Sequence, residues 1–204
     1  MGHAGRRIWI IGASAGIGAA LARALAGQGA QLILSARDGD ALEVLATECG
    51  GAQALPLDLG QPETLAAVVT RLALEAPLDA IICTAALYDP GRVADIDPAQ
   101  AEAMVRVNIL GMIEVARLCP LLLHDGGQLV LFGSVAGYIG LPRGQPYSAT
   151  KAAVNNLAET LAIELAPRVD VRLVSPGFVE TRLTARNSFA MPAIITPEQA
   201  AVAV

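Results

Sequence analysis

The sequence predicts an α/β domain built on a doubly wound parallel sheet, and two observations carry this prediction. Short runs rich in Ile, Leu and Val alternate along the whole chain with longer Ala/Leu-rich segments of helical length. The short runs are continuously apolar, as expected for strands that helices cover on both faces. Right-handed crossovers then give a three-layer α/β/α arrangement. The predicted strands are residues 8–11, 31–35, 54–57, 80–84, 128–132 and 169–174.

Composition limits the class of protein. The chain has 204 residues and shows no linker or repeat, so we expect one domain over residues 1–204. Hydrophobic residues make up 54% and charged residues 16%, which is too apolar for a disordered chain. The net charge of −5 argues against a nucleic-acid partner, and the apolar runs are too interrupted to span a membrane. Three widely spaced cysteines predict reduced thiols, a cytoplasmic location and no metal site.

Helix signals punctuate the chain. Residues 16–28 and 62–75 have helical length, and Asp97-Pro98 supplies an N-cap and an N1 proline for a helix extending to about residue 122. Thr196-Pro197-Glu198-Gln199 reads as a capping box that opens another helix. The sequence stops at Val204, about two turns into that helix, so we expect the domain to continue beyond it.

A glycine-rich turn, Gly12-Ala13-Ser14-Ala15-Gly16-Ile17-Gly18, joins the first predicted strand to the first helix. Glycines at such a turn let the backbone approach a pyrophosphate at the N-terminus of the helix. The spacing differs from the common G-x-G-x-x-G fingerprint. A tight turn without a ligand is therefore the alternative.

The chain's only lysine, Lys151, follows Tyr147 by four residues, whereas arginine occurs 13 times. Positions i and i+4 share a helix face, so the ammonium is expected beside the phenol. A neighbouring positive charge favours the phenolate and should lower the pKa of Tyr147, making it a general acid/base. The alternative is an amphipathic helix that carries both residues by chance.

Two further polar residues accompany this pair. Ser134 follows the fifth strand, at the carboxyl edge where parallel sheets bind ligands, although it could simply satisfy a turn. Asn108 lies in mid-helix three residues before Gly111, and neither residue type is favoured there. A functional kink and a packing gap both explain this pair.

Together with Pro176-Gly177 after the sixth strand, these features resemble the short-chain dehydrogenase/reductase family over essentially the whole chain. The resemblance implies a Rossmann-type domain that here lacks the family's last strand, and a catalytic tetrad of Asn108, Ser134, Tyr147 and Lys151. Tyr147 would exchange the proton, Ser134 would bind the substrate oxygen, Lys151 would hold the nicotinamide ribose, and Asn108 would position a relay water. The implied cofactor-binding residues are Gly12, Ser14, Gly16, Ile17, Gly18, Ser35, Arg37, Asp58, Leu59, Ala85, Tyr147, Lys151, Pro176, Gly177, Val179 and Thr181.

The end of the second strand predicts the cofactor. NAD-preferring members of the family usually carry an acidic residue where this chain has Ala36, followed by Arg37. A guanidinium suits a 2′-phosphate, so we expect NADP(H), read by Ser35 and Arg37. NAD(H) is the alternative, with Asp38 binding the ribose. Ala86 also departs from the family, which usually has glycine there; its backbone must avoid positive φ or bear strain.

The predicted function is reversible NADP(H)-dependent reduction of a small carbonyl compound to a secondary alcohol. A nucleotide-binding protein of the same fold with little turnover is the alternative. The resemblance also implies a homo-oligomer, dimer or tetramer, formed through the long helices. Residues 183–195 mix apolar side chains with arginine, and line a substrate pocket or pack as an ordinary segment. They do not identify the substrate.

Overall fold

Six parallel strands in the order β3-β2-β1-β4-β5-β6 form the central sheet of the computed structural model, which describes residues 2–204. The order reverses between β1 and β4, so the chain is doubly wound, as the sequence predicts. A reversal of this kind opens a crevice at the carboxyl ends of the two strands. The strands are β1 (Arg7–Ile11), β2 (Gln31–Ser35), β3 (Gln53–Ala54), β4 (Leu78–Cys83), β5 (Leu123–Phe132) and β6 (Val169–Val174).

Helices cover both faces of the sheet, and the predicted capping signals are confirmed. The Asp97 side chain accepts a hydrogen bond from the Ala99 amide at 2.9 Å. Thr196 and Gln199 form the reciprocal capping box. The α-helices are α1 (Gly16–Gly27), α2 (Gly39–Glu48), α3 (Pro62–Leu72), α4 (Pro98–Val105), α5 (Gly111–Leu118), α6 (Tyr147–Glu164) and α7 (Pro197–Val202).

Alternate side chains of β1 enter two separate hydrophobic clusters. Trp9 and Ile11 belong to one cluster, whereas Ile8 and Ile10 belong to the other. All four side chains are buried, which is the two-sided burial that their continuous apolar sequence predicts. The sheet is therefore a rigid platform that fixes where the loops at its carboxyl edge begin.

The predicted continuous helix from residue 98 to about 122 is interrupted. A π-helical turn, Arg106–Leu110, separates α4 from α5, and a 3-10 turn, Cys119–Leu122, ends the segment. At Gly111 a Cβ atom would lie 2.8 Å from the Cβ of Leu59, so only glycine permits this approach. Of the two predicted explanations, a packing gap at Gly111 is wrong, because Leu59 occupies the space a side chain would need; the π turn agrees with a local distortion of the helix.

The third strand differs most from its prediction. Regular pairing is confined to Gln53–Ala54, although residues 54–57 were expected to form the strand. The next residues still follow β2, since the Leu55 and Leu57 amides donate to the carbonyls of Leu34 and Ala36. The extended backbone is present, but its pairing with β2 becomes too irregular to continue the ladder.

Candidate active site

A cleft of about 790 Å³ opens at the carboxyl ends of the strands, where the sheet order reverses. It brings together segments that lie far apart in the sequence: the glycine turn, the ends of β2, β4 and β5, the start of α6, and the loop after β6. The predicted site residues that line it are Gly12, Ser14, Gly16, Ile17, Gly18, Arg37, Asp58, Leu59, Ala85, Ser134, Tyr147, Lys151, Pro176, Gly177, Val179 and Thr181.

The glycine turn is packed too closely for side chains. A Cβ at Gly12 would lie 2.6 Å from the Ala85 nitrogen, and Gly12 also has a positive φ of 93°. A Cβ at Gly18 would lie 2.3 Å from the Gly12 carbonyl oxygen, to which the Thr84 hydroxyl donates at 3.1 Å. These contacts seat the start of α1 directly against the turn.

The N-terminus of α1 is left free for an anion. Its N-cap, Ala15, offers no side-chain cap, and its first turn contains no acidic residue. The first amides of a helix lack partners within the helix and carry partial positive charge. Because Gly16, Ile17 and Gly18 line the cleft here, the turn fits the pyrophosphate of a dinucleotide.

The end of β2 corrects one prediction and sharpens another. Ser35 is completely buried, and its hydroxyl accepts a hydrogen bond from Trp9 Nε1 at 2.9 Å. The expectation that Ser35 reads the cofactor is therefore wrong: its side chain points into the core. Arg37 is exposed in the cleft, whereas the Asp38 carboxylate caps α2 by accepting from the Ala41 amide at 3.0 Å.

Tyr147 begins α6, and Lys151 lies one turn later on the same face. Lys151 is only 2% exposed and its ammonium donates to the Phe132 carbonyl at 2.6 Å. The same Nζ lies 5.7 Å from the centre of the Tyr147 ring. The β5 carbonyl therefore fixes the position of the lysine head beside the phenol.

Burial governs the ionisation of this pair. It raises the pKa of Tyr147 to about 12, although a hydrogen bond with Ser134 favours the ionised form. It lowers the pKa of Lys151 to about 8, against a smaller opposing influence of Cys83. The predicted lowering of the Tyr147 pKa by Lys151 does not appear in the chain alone, because desolvation of the phenolate raises this pKa more than the Ser134 hydrogen bond lowers it.

Ser134 stands at the turn that follows β5. Its Oγ accepts a hydrogen bond from the Ala136 amide at 3.1 Å, which caps the short 3-10 turn 135–137. The turn interpretation of this serine is correct. It is compatible with the functional one, since the hydroxyl also faces Tyr147 in the cleft and retains a proton to donate.

Asn108 does not line the cleft, and its role in positioning a relay water stays a prediction. Its Oδ1 accepts from the Leu87 amide at 2.7 Å, and its Nδ2 donates to the Leu87 carbonyl at 2.8 Å and to Thr150 Oγ1 at 3.1 Å. The amide group is thus committed to protein partners. Asn108 is a positioning residue that ties the loop after β4 to α6.

Tyr88 belongs to the cleft but was missed by the sequence reading. Its ring meets that of Tyr147 edge to face, with centroids 4.9 Å apart. Its hydroxyl donates to Asn187 Oδ1 at 2.6 Å, and its carbonyl accepts from Arg186 Nη1 at 3.0 Å. The available signal was its position shortly after β4, on the loop that crosses the crevice.

The backbone at Ala86 resolves the departure from the family's glycine. Ala86 lines the cleft without adopting a positive φ. The alanine therefore introduces no left-handed strain at this point of the wall.

Across residues 2–204 no group of three His, Cys, Asp or Glu side chains is arranged to hold a metal ion, and no helix combines the length and hydropathy that a membrane crossing requires.

Comparison with known proteins decides the family. The family model described as short chain dehydrogenase matches residues 6–191. The chain belongs to the short-chain dehydrogenase family. It is therefore an oxidoreductase of CH–OH groups with the nicotinamide-binding fold of that family.

Individual relatives agree with the membership in the short-chain dehydrogenase family. An uncharacterized oxidoreductase of Methylorubrum extorquens is 34% identical over 86% of this chain and 73% of its own. Versicolorin reductase of Emericella nidulans is 32% identical over 87% of this chain and 70% of its own. A short-chain dehydrogenase of Shigella flexneri, solved in complex with NADP, superposes with a TM-score of 0.88 at 26% identity, covering 96% of this chain and 88% of that one.

Proposed function

We propose that this chain is an NADP(H)-dependent oxidoreductase that interconverts a carbonyl compound and a secondary alcohol, with Tyr147 as the general acid/base. One observation carries the proposal. Tyr147, Ser134 and Lys151 meet in the same cleft as the glycine turn, at the carboxyl edge of the sheet. The groups for proton exchange therefore lie in one cleft with the features that suit a dinucleotide.

The residues around the cleft suggest how the cofactor would be held. The first amides of α1 would bind the pyrophosphate, and Asp58 and Leu59 would flank the adenine side. On the nicotinamide side, Lys151 would hold the ribose, and Pro176, Gly177, Val179 and Thr181 would form the wall. When bound, the cofactor supplies the hydride that reduces the carbonyl carbon.

Preference for NADP(H) over NAD(H) is supported by the two residues after Ala36. Arg37 forms no ion pair within residues 2–204, so its guanidinium is available for a 2′-phosphate. Asp38 is engaged at the N-cap of α2 and would have to leave the cap to bind a ribose hydroxyl. The related Shigella flexneri structure holds NADP.

The proton chemistry follows from the two pKa shifts. With a pKa raised to about 12 by burial, Tyr147 carries its proton at neutral pH and can donate it to the substrate oxygen during reduction. Ser134 would donate a hydrogen bond to that same oxygen and stabilise the charge that develops on it. In the reverse direction Tyr147 must act as the phenolate, which a protonated Lys151 would favour.

The first test is oxidation of NADPH, followed by its absorbance, over a panel of ketones, aldehydes and quinones. We expect turnover that the Tyr147→Phe variant abolishes while it still binds NADPH. Binding of NADPH without any turnover would contradict the reductase and favour a nucleotide-binding protein. Failure to bind either nucleotide would contradict the interpretation of the glycine turn.

We also propose a homo-oligomer, a dimer or tetramer, assembled through the helices around α4–α5 and α6. Exposed apolar side chains support this, with Leu110, Ile113 and Leu121 exposed by 51%, 44% and 73%. A solution mass of one subunit by light scattering would contradict it.

The three free thiols support the proposed cytoplasmic location, which tagging of the protein in its native cell would test.

A further inference from the structure

A second cavity, of about 280 Å³, lies beside the mouth of the catalytic cleft. Arg186 lines both spaces, so they are neighbours. The second cavity is built from the loop after β4, the loop before α6 and the segment between β6 and α7. We call it the arginine pocket and define it by Arg92, Asp95, Arg143, Arg186, Ser188 and Phe189.

Positive charge is in excess in the arginine pocket. Arg186 pairs with Asp89, but Arg92 and Arg143 take part in no ion pair across residues 2–204. The lining contributes a single carboxylate, that of Asp95. This concentration of unpaired guanidinium groups occurs in a chain whose net charge is −5. An anion is the ligand that such a cavity attracts.

Arg143 is held in place by its surroundings. Its φ of 63° lies in the left-handed region, which non-glycine residues seldom occupy. Its carbonyl accepts from the Gly91 amide at 3.2 Å, and its guanidinium donates to the Ser188 hydroxyl. A guanidinium has five N–H donors, so most remain for a ligand. Unusual backbone of this kind clusters at ligand sites.

Tyr88 connects the arginine pocket to the proton donor. On one side, the centroid of its ring lies 4.9 Å from that of the Tyr147 ring. On the other side, its backbone carbonyl accepts a hydrogen bond from Arg186 Nη1 at 3.0 Å. Tyr88 therefore lies between Tyr147 and Arg186, which lines the arginine pocket.

We propose that the substrate carries an oxyanion, either a carboxylate or a phosphate, separated from its carbonyl group and bound in the arginine pocket. The inference rests on the proposed function, because it places the reacting carbonyl at Tyr147. Guanidinium groups bind carboxylate and phosphate through charge-assisted, often bidentate hydrogen bonds. Arg143 and Arg92 would then determine specificity without touching the reacting atoms.

Such an anchor should act on binding more than on the chemical step. Interactions that are equal in the ground state and the transition state change KM and leave kcat largely unaltered. The arginines are solvent-exposed, so added salt should weaken the effect. These two signatures separate an anionic anchor from a general structural role.

The experiment compares keto acids of increasing chain length with their methyl esters, using NADPH oxidation by the full chain. Keto phosphates of the same lengths form a second arm, which distinguishes phosphate from carboxylate. Arg143→Gln and Arg92→Gln remove one charge each from the pocket. Arg71→Gln on α3 makes the same chemical change at an exposed position remote from the cleft.

We expect kcat/KM for the preferred acid to exceed that of its ester by about ten- to a hundredfold, mainly through KM. Arg143→Gln should reduce this ratio to about one, Arg92→Gln should reduce it in part, and Arg71→Gln should preserve it. The proposal is overturned if acid and ester turn over equally and the keto phosphates show no advantage either, or if the preference for the anion survives both pocket substitutions.

Binding gives a readout that does not depend on turnover. Calorimetry of the same acids with the NADP⁺-saturated protein should show an affinity that Arg143→Gln weakens by about tenfold or more. Such binding without turnover of any compound would support the arginine pocket and contradict the proposed oxidoreductase function. Turnover of neutral ketones with no measurable affinity for any of the acids would do the reverse.

Discussion

The Asn108 side chain binds both backbone groups of Leu87: its amide oxygen accepts from the Leu87 nitrogen at 2.7 Å, and its amide nitrogen donates to the Leu87 carbonyl at 2.8 Å. A third hydrogen bond, to Thr150, anchors the same side chain to α6. The next residue along the loop is Tyr88, which packs on Tyr147. Asn108 thus sets the distance between the loop after β4 and the helix that carries Tyr147.

Replacing Asn108 by alanine should therefore cost both stability and activity. The change leaves the Leu87 amide and carbonyl without their partner, and each buried polar group left unsatisfied costs about 1–3 kcal/mol. Urea unfolding should show the loss, and kcat should fall as Tyr88 moves. Asn156→Ala, on the exposed side of α6, is the matched control and should leave both quantities near the wild-type values. A stable, fully active Asn108→Ala variant would contradict this positioning role of Asn108.

Tyr147→Phe should lower kcat by about 10²- to 10⁴-fold, the usual contribution of a positioned general acid or base. The ring and its contact with Tyr88 remain, so NADPH affinity measured by fluorescence should hold. Tyr138→Phe removes a hydroxyl from an exposed tyrosine and serves as the control. Substantial activity in the Tyr147 variant would assign proton transfer to another group.

Arg37→Gln should raise the KM for NADPH by about tenfold or more and leave that for NADH almost unchanged, because a charge-assisted bond to the 2′-phosphate contributes about 1.5–3 kcal/mol. The measurement is the ratio of kcat/KM for the two cofactors. An unchanged ratio in Arg37→Gln would show that this guanidinium reads no phosphate.

Ser35→Ala should behave in the opposite way. It deprives Trp9 Nε1 of its acceptor in the core and should lower the free energy of unfolding by about 1–3 kcal/mol. The NADPH/NADH ratio should stay the same, since the Ser35 side chain points away from the cleft. A changed ratio would restore Ser35 as a cofactor contact.

Gly18→Ala should abolish or severely weaken dinucleotide binding, because its Cβ would lie 2.3 Å from the Gly12 carbonyl oxygen and force the turn apart. Gly27→Ala, at the other end of the same helix, meets nothing within 4 Å. That control should be neutral or gain up to about 1 kcal/mol from helix propensity. Titration of both variants with NADPH checks the difference.

Burial of Lys151 predicts a pH dependence of stability in the cofactor-free protein. Its pKa falls from 10.5 to about 8 on folding, so between these values the unfolded state binds more protons and stability rises with pH. Tyr147 and Cys83, whose pKa values burial raises, act in the opposite direction. Subtracting the unfolding free energy of Lys151→Met, measured over the same range, isolates the lysine. A flat difference between about pH 8 and pH 10 would contradict the lowered pKa of Lys151 in the folded protein.

The strands were predictable because a strand that is buried on both faces is a continuous run of apolar residues, as in Ile8–Ile11. The interruption of the long helix was not. The π turn at Arg106–Leu110 is fixed by contacts of Asn108 with Leu87 and of Gly111 with Leu59, residues brought near only by the folded sheet. The third strand was misplaced for a related reason, since its pairing depends on the local geometry of β2.

At the site, the sequence located the residues whose position along the chain determines their place in the fold. A turn directly after β1 and a serine directly after β5 must reach the carboxyl edge. The direction of a side chain was harder to predict. Ser35 follows Ile33 by two residues, so it lies on the sheet face on which Trp9 is buried. Its hydroxyl therefore accepts the indole hydrogen bond instead of facing the cleft. The pKa of Tyr147 was also misjudged, because spacing alone gives no measure of desolvation.

The chain contains one ε-amine, that of Lys151, and it lies buried in the cleft, 2.6 Å from the carbonyl oxygen of Phe132. Within these 204 residues an amine-selective reagent therefore finds no lysine other than Lys151. With the pKa of Lys151 lowered to about 8, about one tenth of its amine is unprotonated and nucleophilic at pH 7, against far less for an ordinary lysine. The labelling rate thus reports how often Lys151 becomes accessible, and lysine coupling to a solid support would modify the proposed site itself.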